Sequence, residues 1–283
     1  PFEKSLQHHS ENNFVKFLCA LFGAESTNRL IEKYFIGTSK HWNGATVFWQ
    51  IDISGKRRTG KIMLYNSDTG KRVKEKINWA HSVLKIENFN LLQCFFGEHI
   101  LKGNTKPVAI VESEKTAVIA SVYLPGFVWL AVGSLTNLAA EKCKVLQGRS
   151  VTLFPDLNGF EKWSNKAKEI SRLFPGTRFN ISDLLEHKAS ETEREQGLDL
   201  ADYLIRFDYR AFQQQEQPES PQKVFEQPKP KEIAEVRELK PQVETNYFTE
   251  YKPPPQDDWT KEIQELEHYF ETATLPAEPM KLN

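Results

Sequence analysis

Two carboxylates in this sequence stand where chemistry is usually housed. Glu112 follows the apolar run Val108-Ala109-Ile110-Val111, and Asp156 follows Val151-Thr152-Leu153-Phe154 and Pro155. Both runs read as short buried strands, and in parallel sheets functional groups gather at the carboxyl ends of strands, where loops converge on a crevice. If the two strands are neighbours, the carboxylates face each other at short range and repel unless a proton or a cation intervenes. A hard divalent ion held by carboxylates, waters and phosphate oxygens suits so sparse an oxygen set, and it points to phosphoryl transfer. Plainer roles stand beside these. Glu112 also complements the positive end of the helix that follows it, and Asp156 also suits the N-cap of a helix beginning near Phe160. Asn158, before Gly159, is either a weak neutral ligand or ordinary turn chemistry. Lys115 either reaches a phosphate or solvates its own helix.

The elements that must position these residues alternate from Pro107 onward. Helices are expected from Lys115 to Tyr123, from Leu135 to Leu146 and from Phe160 to Phe174. Strands are expected from Phe127 to Val132, from Val151 to Phe154 and from Arg178 to Ile181. Short apolar strands separated by helices imply an α/β fold with a βαβαβ parallel sheet and right-handed crossovers, assigned to residues 107–211.

Residues 1–106 read as a strand-rich α+β segment. Phe14, Phe17, Leu18, Leu21 and Phe22 recur at helical spacing, and Leu30, Ile31, Tyr34 and Phe35 continue it to Gly37. Thr46 to Asp52 and Lys61 to Tyr65 then form β-rich runs separated by turns at Ser54-Gly55 and Gly60. Between Ser54 and Lys76 lie Lys56, Arg57, Arg58, Lys61, Lys71, Arg72, Lys74 and Lys76, opposed only by Asp68 and Glu75, with Trp42, Trp49, Tyr65, Trp79 and His81 interleaved. Cations that neutralise phosphates and rings that stack on unpaired bases suit single-stranded nucleic acid, whereas a hairpin with an aromatic core and a solvated basic face gives the same pattern. His81 and His99 show no metal-ligand spacing and read as structural.

Charge supports a polyanion partner only once the chain is divided. Of 37 Lys/Arg and 38 Asp/Glu, 8 and 15 lie from Phe212 onward, which leaves 29 against 23 and a net charge of about +6 in what precedes. Ten of the 15 prolines also follow Phe212, and no glycine follows Gly197, so residues 212–283 read as a disordered Pro/Gln/Glu-rich tail. Within it, Trp259, Ile263, Leu266 and Phe270 predict a short amphipathic helix over 257–272, which either docks in a partner's groove or packs on its own body. The three cysteines are far apart and odd in number, which argues against a disulfide framework and fits a reducing, cytoplasmic setting. The longest apolar run, Val118 to Val132, is cut by Ser121 and Pro125-Gly126 and is too short for a bilayer, so no membrane is expected. Pro1 in place of an initial Met points to missing upstream residues.

Three motifs in order resemble a known family. Val111-Glu112-Ser113-Glu114-Lys115-Thr116-Ala117 resembles the first motif of the toprim domain, the metal-binding fold shared by bacterial primases, type IA and type II topoisomerases and some nucleases. Ala131-Val132-Gly133-Ser134-Leu135-Thr136 is similar to the glycine turn after the second toprim strand, and Leu153-Phe154-Pro155-Asp156-Leu157-Asn158-Gly159 to the family's Asp-x-Asp-x-x-Gly strand end. The resemblance covers roughly 107–182 and is nearest to primase-like proteins of bacterial mobile elements, of DNA primase or helicase-primase type. It implies Glu112 and Asp156 as catalytic residues, Mg2+ or Mn2+ held by Glu112, Asp156 and Asn158, and nucleotidyl transfer in DNA replication. Single-stranded DNA, nucleotides and a replicative helicase or other replication protein, met through the tail helix, would be the partners. Lys56, Arg57, Arg58, Lys61, Lys71, Arg72 and Lys115 are the expected nucleic-acid contacts. Asn158 stands where the family has a second Asp, and Ser113 where it commonly has Gly. The alternative is therefore a catalytically degenerate toprim module that binds nucleic acid or docks a partner. Gly197 to Tyr203 resembles the acidic loop after primase toprim cores, which makes Asp199 and Asp202 weaker candidates.

Overall fold

The computed structural model describes residues 1–213. Phe212 and Gln213, expected to open the tail, instead end the helix Tyr209–Gln213, because the Phe212 ring is buried against Tyr123; the rest of the expected tail, with its helix at 257–272, lies outside the described residues. Asn12 starts the first long helix, Asn13–Tyr34, by accepting hydrogen bonds from the Phe14 and Val15 amides at 3.0 and 3.2 Å, a side-chain cap on otherwise unpaired donors. Four antiparallel strands follow in the order β1 (Ile36–Ser39), β2 (Ala45–Ile51), β3 (Arg57–Tyr65) and β4 (Arg72–Trp79). β2 is buried along its whole length. On one side Val47, Trp49 and Ile51 pack with Ile62 and Ala80, and on the other Phe48 meets Phe14, Tyr65 and Phe96. Gly60, expected at a turn, lies inside β3 opposite Trp49, because a Cβ there would come within 2.8–2.9 Å of the Val47 and Trp49 side chains. The turn itself is built by Asp52, whose Oδ1 accepts the Ser54 and Lys56 amides at 2.9 Å.

The second sheet is parallel throughout. β5 (Val108–Val111), β6 (Val128–Ala131), β7 (Ser150–Leu153) and β8 (Arg178–Ile181) lie in the order β6-β5-β7-β8. The crossover helices are Glu114–Tyr123 between β5 and β6 and Phe160–Leu173 between β7 and β8. Ile110, Leu130, Leu153, Trp163 and Ile170 are essentially inaccessible and form the centre of this layer. The helix expected over Leu135 to Leu146 is instead a 3-10 turn at Leu135–Asn137, one helical turn at Ala140–Cys143 and a second 3-10 turn at Lys144–Leu146. Leu138 and Cys143 are both in the core, and five residues apart on one helix they would point about 140° apart, so the chain breaks to bury both.

The two sheets are fastened to each other. An antiparallel bridge joins Phe96 to Ala131 at the end of β6, and the Tyr34 hydroxyl donates to the Trp129 carbonyl at 3.4 Å while its ring stacks on Phe96 at 5.3 Å. Residues 1–213 thus belong to one compact unit. Among the described residues no helix is long and apolar enough to cross a membrane, and Cys19, Cys94 and Cys143 are free thiols.

Candidate active site

β5 is flanked by β6 and β7, so the loops leaving β5 and β7 open side by side. Glu112 and Asp156 both line a cleft of about 640 Å³ at this end of the sheet. Asp156 is the more unusual of the two. Its Oδ1 is buried and accepts no hydrogen bond. Burial, and then the charges of Asp199 and Glu112, push its carboxyl up to about 8, with Lys115 only partly offsetting them. An oxygen with no donor, among other acids, is a fit for a hard divalent cation, which would supply the missing counter-charge. Among the described residues no three His, Cys, Asp or Glu side chains form a ready cage, so such an ion would have to complete its shell with water or ligand oxygens.

The helix after β5 carries the next layer. Ser113 caps it, and Glu114 in its first turn is only 1% exposed. Glu114 pairs with Lys61 of β3, whose Nζ lies 3.2 Å from both carboxylate oxygens and donates to the Gly133 carbonyl at 2.8 Å. Gly133 has φ +85, and a Cβ there would sit 3.2 Å from Glu114 Oε1, so the glycine turn after β6 admits this buried ion pair. The antiparallel sheet therefore reaches into the loop that flanks Glu112. Lys115 points the other way, with its Nζ 3.2 Å from Asp199 Oδ2 and 3.1 Å from Asp202 Oδ1. Burial alone would lower its pKa, but the two aspartates outweigh that and raise it.

Asp199 and Asp202 arrive from far along the chain. They cap the helix Leu200–Leu204 reciprocally, each accepting the other's amide. Asn158 sits beyond Asp156 with φ +69, a left-handed conformation that Asn tolerates. Its amide Nδ2 donates to the Arg194 carbonyl at 2.8 Å, its backbone N–H donates to Glu186 Oε1 at 3.3 Å, and Arg194 in turn pairs with Glu186. Asn158 is not among the residues that line the cleft; it ties the β7 loop to the short helices Leu184–Lys188 and Glu191–Gln196.

The antiparallel sheet gives the same cleft a basic wall: Lys71, Arg72 and Lys74, all exposed, line it together with Met63 and Tyr65. The pairing of β3 with β4 slips between Met63 and Tyr65, and Glu75 has φ +65; bulges of this kind re-aim an edge strand's side chains. The expected basic set is thus divided. Lys61, Lys71, Arg72 and Lys115 lie at the cleft, whereas Lys56, Arg57 and Arg58 belong to the other end of β3, where Arg58 pairs with Asp52 at 2.6 Å and Arg57 with Glu3 at 3.2 Å. Trp49 and Tyr65 are core residues, 7% and 2% exposed, and His81 stacks on Phe89 at 4.4 Å. A second cavity, of about 390 Å³, opens beside Trp49 and Ile62 and brings one carboxylate, Glu11, rather than an acidic cluster.

Acids from the parallel-sheet loops and cations from the antiparallel sheet, lining one cleft, are the groups needed to hold a cation and a phosphate chain together. A family model described as a domain of unknown function (DUF6371) matches residues 12–157, just over half of the chain. No curated protein matches. Similar solved structures include the primase fragment of the bacteriophage T7 primase-helicase, at 12% identity and TM-score 0.37, covering 60% of this chain and 69% of that one. The E. coli primase catalytic core is 14% identical with TM-score 0.36, covering 72% and 69%. A structure of the bacteriophage T7 lagging-strand DNA polymerase interacting with primase domains is 14% identical with TM-score 0.42, covering 66% and 84%. Identities and scores this low carry no activity across.

Proposed function

The chain belongs to the DUF6371 family, and from its cleft we propose a primase-like toprim protein of DNA replication that binds single-stranded DNA and uses Mg2+ or Mn2+ for nucleotidyl transfer. The observation that supports this reading most is the partnerless buried oxygen of Asp156 in a cleft that Glu112, Lys71, Arg72 and Lys74 also line. Asp156 and Glu112 would hold the ion, which when bound neutralises phosphate charge and lowers the cost of the in-line displacement. Glu112 would orient the incoming 3′ hydroxyl or accept its proton. Lys71, Arg72 and Lys74 would carry the template backbone and the nucleotide phosphates, and the buried Lys61–Glu114 pair keeps that wall in register with the acidic one. Setting in a bacterial mobile element, and contact with a replicative helicase through the tail, belong to the same reading.

The experiment is template-directed incorporation of labelled nucleotides on single-stranded DNA. The full chain is expected to turn over only with Mg2+ or Mn2+. Glu112→Gln and Asp156→Asn are expected to lose at least about 100-fold in rate, the scale of a lost catalytic or metal-linked group, while DNA affinity stays within about threefold. Single-stranded DNA binding with no turnover in the wild type would favour the degenerate docking module, a reading that the engagement of Asn158 with Arg194 supports. Absence of both would overturn the two together.

A further inference from the structure

The aspartates of the cleft fall into two groups. Asp199 and Asp202 have a donor on every carboxylate oxygen. Asp199 Oδ1 accepts the Asp202 amide at 3.0 Å, and its Oδ2 accepts the Thr116 hydroxyl at 2.9 Å and pairs with Lys115 at 3.2 Å. Asp202 Oδ1 accepts from Lys115 Nζ at 3.1 Å, and its Oδ2 accepts the Asp199 amide at 3.2 Å. Lys115 is equally confined, its side chain 13% exposed and bridging the two. Asp156, on the same cleft, keeps a buried oxygen with no donor at all.

The position of Lys115 is unusual for a lysine that serves only its helix. It lies in the first turn of Glu114–Tyr123, where the helix dipole disfavours a cation, and taking an ammonium out of water costs more than a surface ion pair returns. Both penalties are met by the two aspartates, so the lysine belongs to the acidic cluster rather than to the helix surface. A divalent ion on Asp199 and Asp202 would have to break two ion pairs, or bind beside a fixed positive charge.

We propose that Lys115 is the resident cation of this site, occupying the Asp199–Asp202 pair in place of a second divalent ion, so that the cleft takes one Mg2+ or Mn2+ on its Asp156 side. The inference rests on the function proposed above and narrows it to one metal ion and one lysine. Lys115 is a positioning residue here, since it fixes where the divalent charge goes.

The test is ion stoichiometry on the full chain, read by calorimetry and by the electron paramagnetic resonance of Mn2+, with single-stranded DNA present. Wild type and Lys115→Arg are expected to bind one Mn2+ per chain, Lys115→Met to bind two, and Asp156→Asn to lose the one that wild type holds. Two ions in the wild type, or the spin-coupled spectrum of a Mn2+ pair, would overturn the proposal while leaving the metal-dependent function standing, and it needs no variant to fold. One ion in a Lys115→Met protein that melts like wild type would overturn it too, as would retention of the ion by Asp156→Asn. No Mn2+ in the wild type would overturn both this inference and the function on which it rests.

Discussion

Burial, Asp199 and Glu112 together hold the Asp156 carboxyl up to about 8, whereas an unfolded Asp titrates near 3.9. Between those two values the folded chain binds a proton that the unfolded chain has released. The contribution of Asp156 to stability is therefore full at low pH, falls as pH rises from about 4 to about 8, and is level above that. Asp156→Asn keeps the shape and removes the charge. It is expected to melt with wild type near pH 3 to 4 and several degrees above it near pH 9, with a ceiling of about 5 kcal/mol set by a shift of about four pKa units. Added Mg2+ is expected to close that gap by stabilising wild type alone, because a ligand that binds only the folded state raises its stability. Calorimetric melts across pH, with and without Mg2+, check both statements, and equal melting at pH 9 would show that the carboxylate ionises there without penalty. The need for a counter-charge was legible from two acids at strand ends. That Lys115 answers it for Asp199 and Asp202 was not, because 84 residues separate Lys115 from Asp199 along the chain and only the fold brings them together.

The basic wall is a property of an element. β4 is an edge strand, exposed for most of its length, and Lys71, Arg72 and Lys74 at its start reach the cleft, while Lys76 lies over the Trp42 ring at 5.4 Å. Lysines on an edge strand also guard against edge-to-edge pairing, so their presence alone decides little; their place on the cleft wall is what matters. Replacing Lys71, Arg72 and Lys74 with Ala is expected to weaken single-stranded DNA binding and to flatten its dependence on log salt by about 2, since each phosphate contact on a single strand contributes about 0.7. Replacing Lys56 and Arg57, at the far end of β3, is expected to leave the slope unchanged. Fluorescence anisotropy over a salt series measures both, and equal slopes in all three proteins would remove β4 from the interface. β4 escaped the sequence reading because Arg72 to Lys76 hold four charges around Val73 and bury no face, whereas β5, β6 and β7 were legible as short apolar runs. The burial of Lys61 could not be read from the sequence for a related reason: lysines are rarely buried, and only its ion pair with Glu114, 53 residues further on, makes this one so while it still lines the cleft.

At the scale of the whole chain, the parallel sheet could be read in advance because its strands are local and self-contained, but the joint between the sheets could not. Phe96, Tyr34 and Trp129 meet across long stretches of sequence with no motif to announce them. The same holds where the described chain ends. The Tyr123 hydroxyl donates to the Phe207 carbonyl at 3.1 Å, Phe212 packs edge-on against Tyr123 at 5.2 Å, and Tyr209 meets Phe22 at 5.2 Å. Residues 207–212 thus close the far side of the helix that carries Lys115, and they tie it to the helix Asn13–Tyr34. A chain ending at Gln213 keeps every one of these contacts, so it is expected to melt within about 2 °C of the full chain, a change well under 1 kcal/mol. A chain ending at Arg206 loses the buried rings of Phe207 and Phe212, each worth about 3 kcal/mol or more when removed from a core, and is expected to melt at least about 10 °C lower. Because the missing rings back the helix of Glu114 and Lys115, the shorter chain is also expected to lose Mn2+ and single-stranded DNA binding together. If the chain ending at Gln213 melted as low as the one ending at Arg206, residues 214–283 would hold part of the core, and the body could no longer be treated as a folding unit by itself.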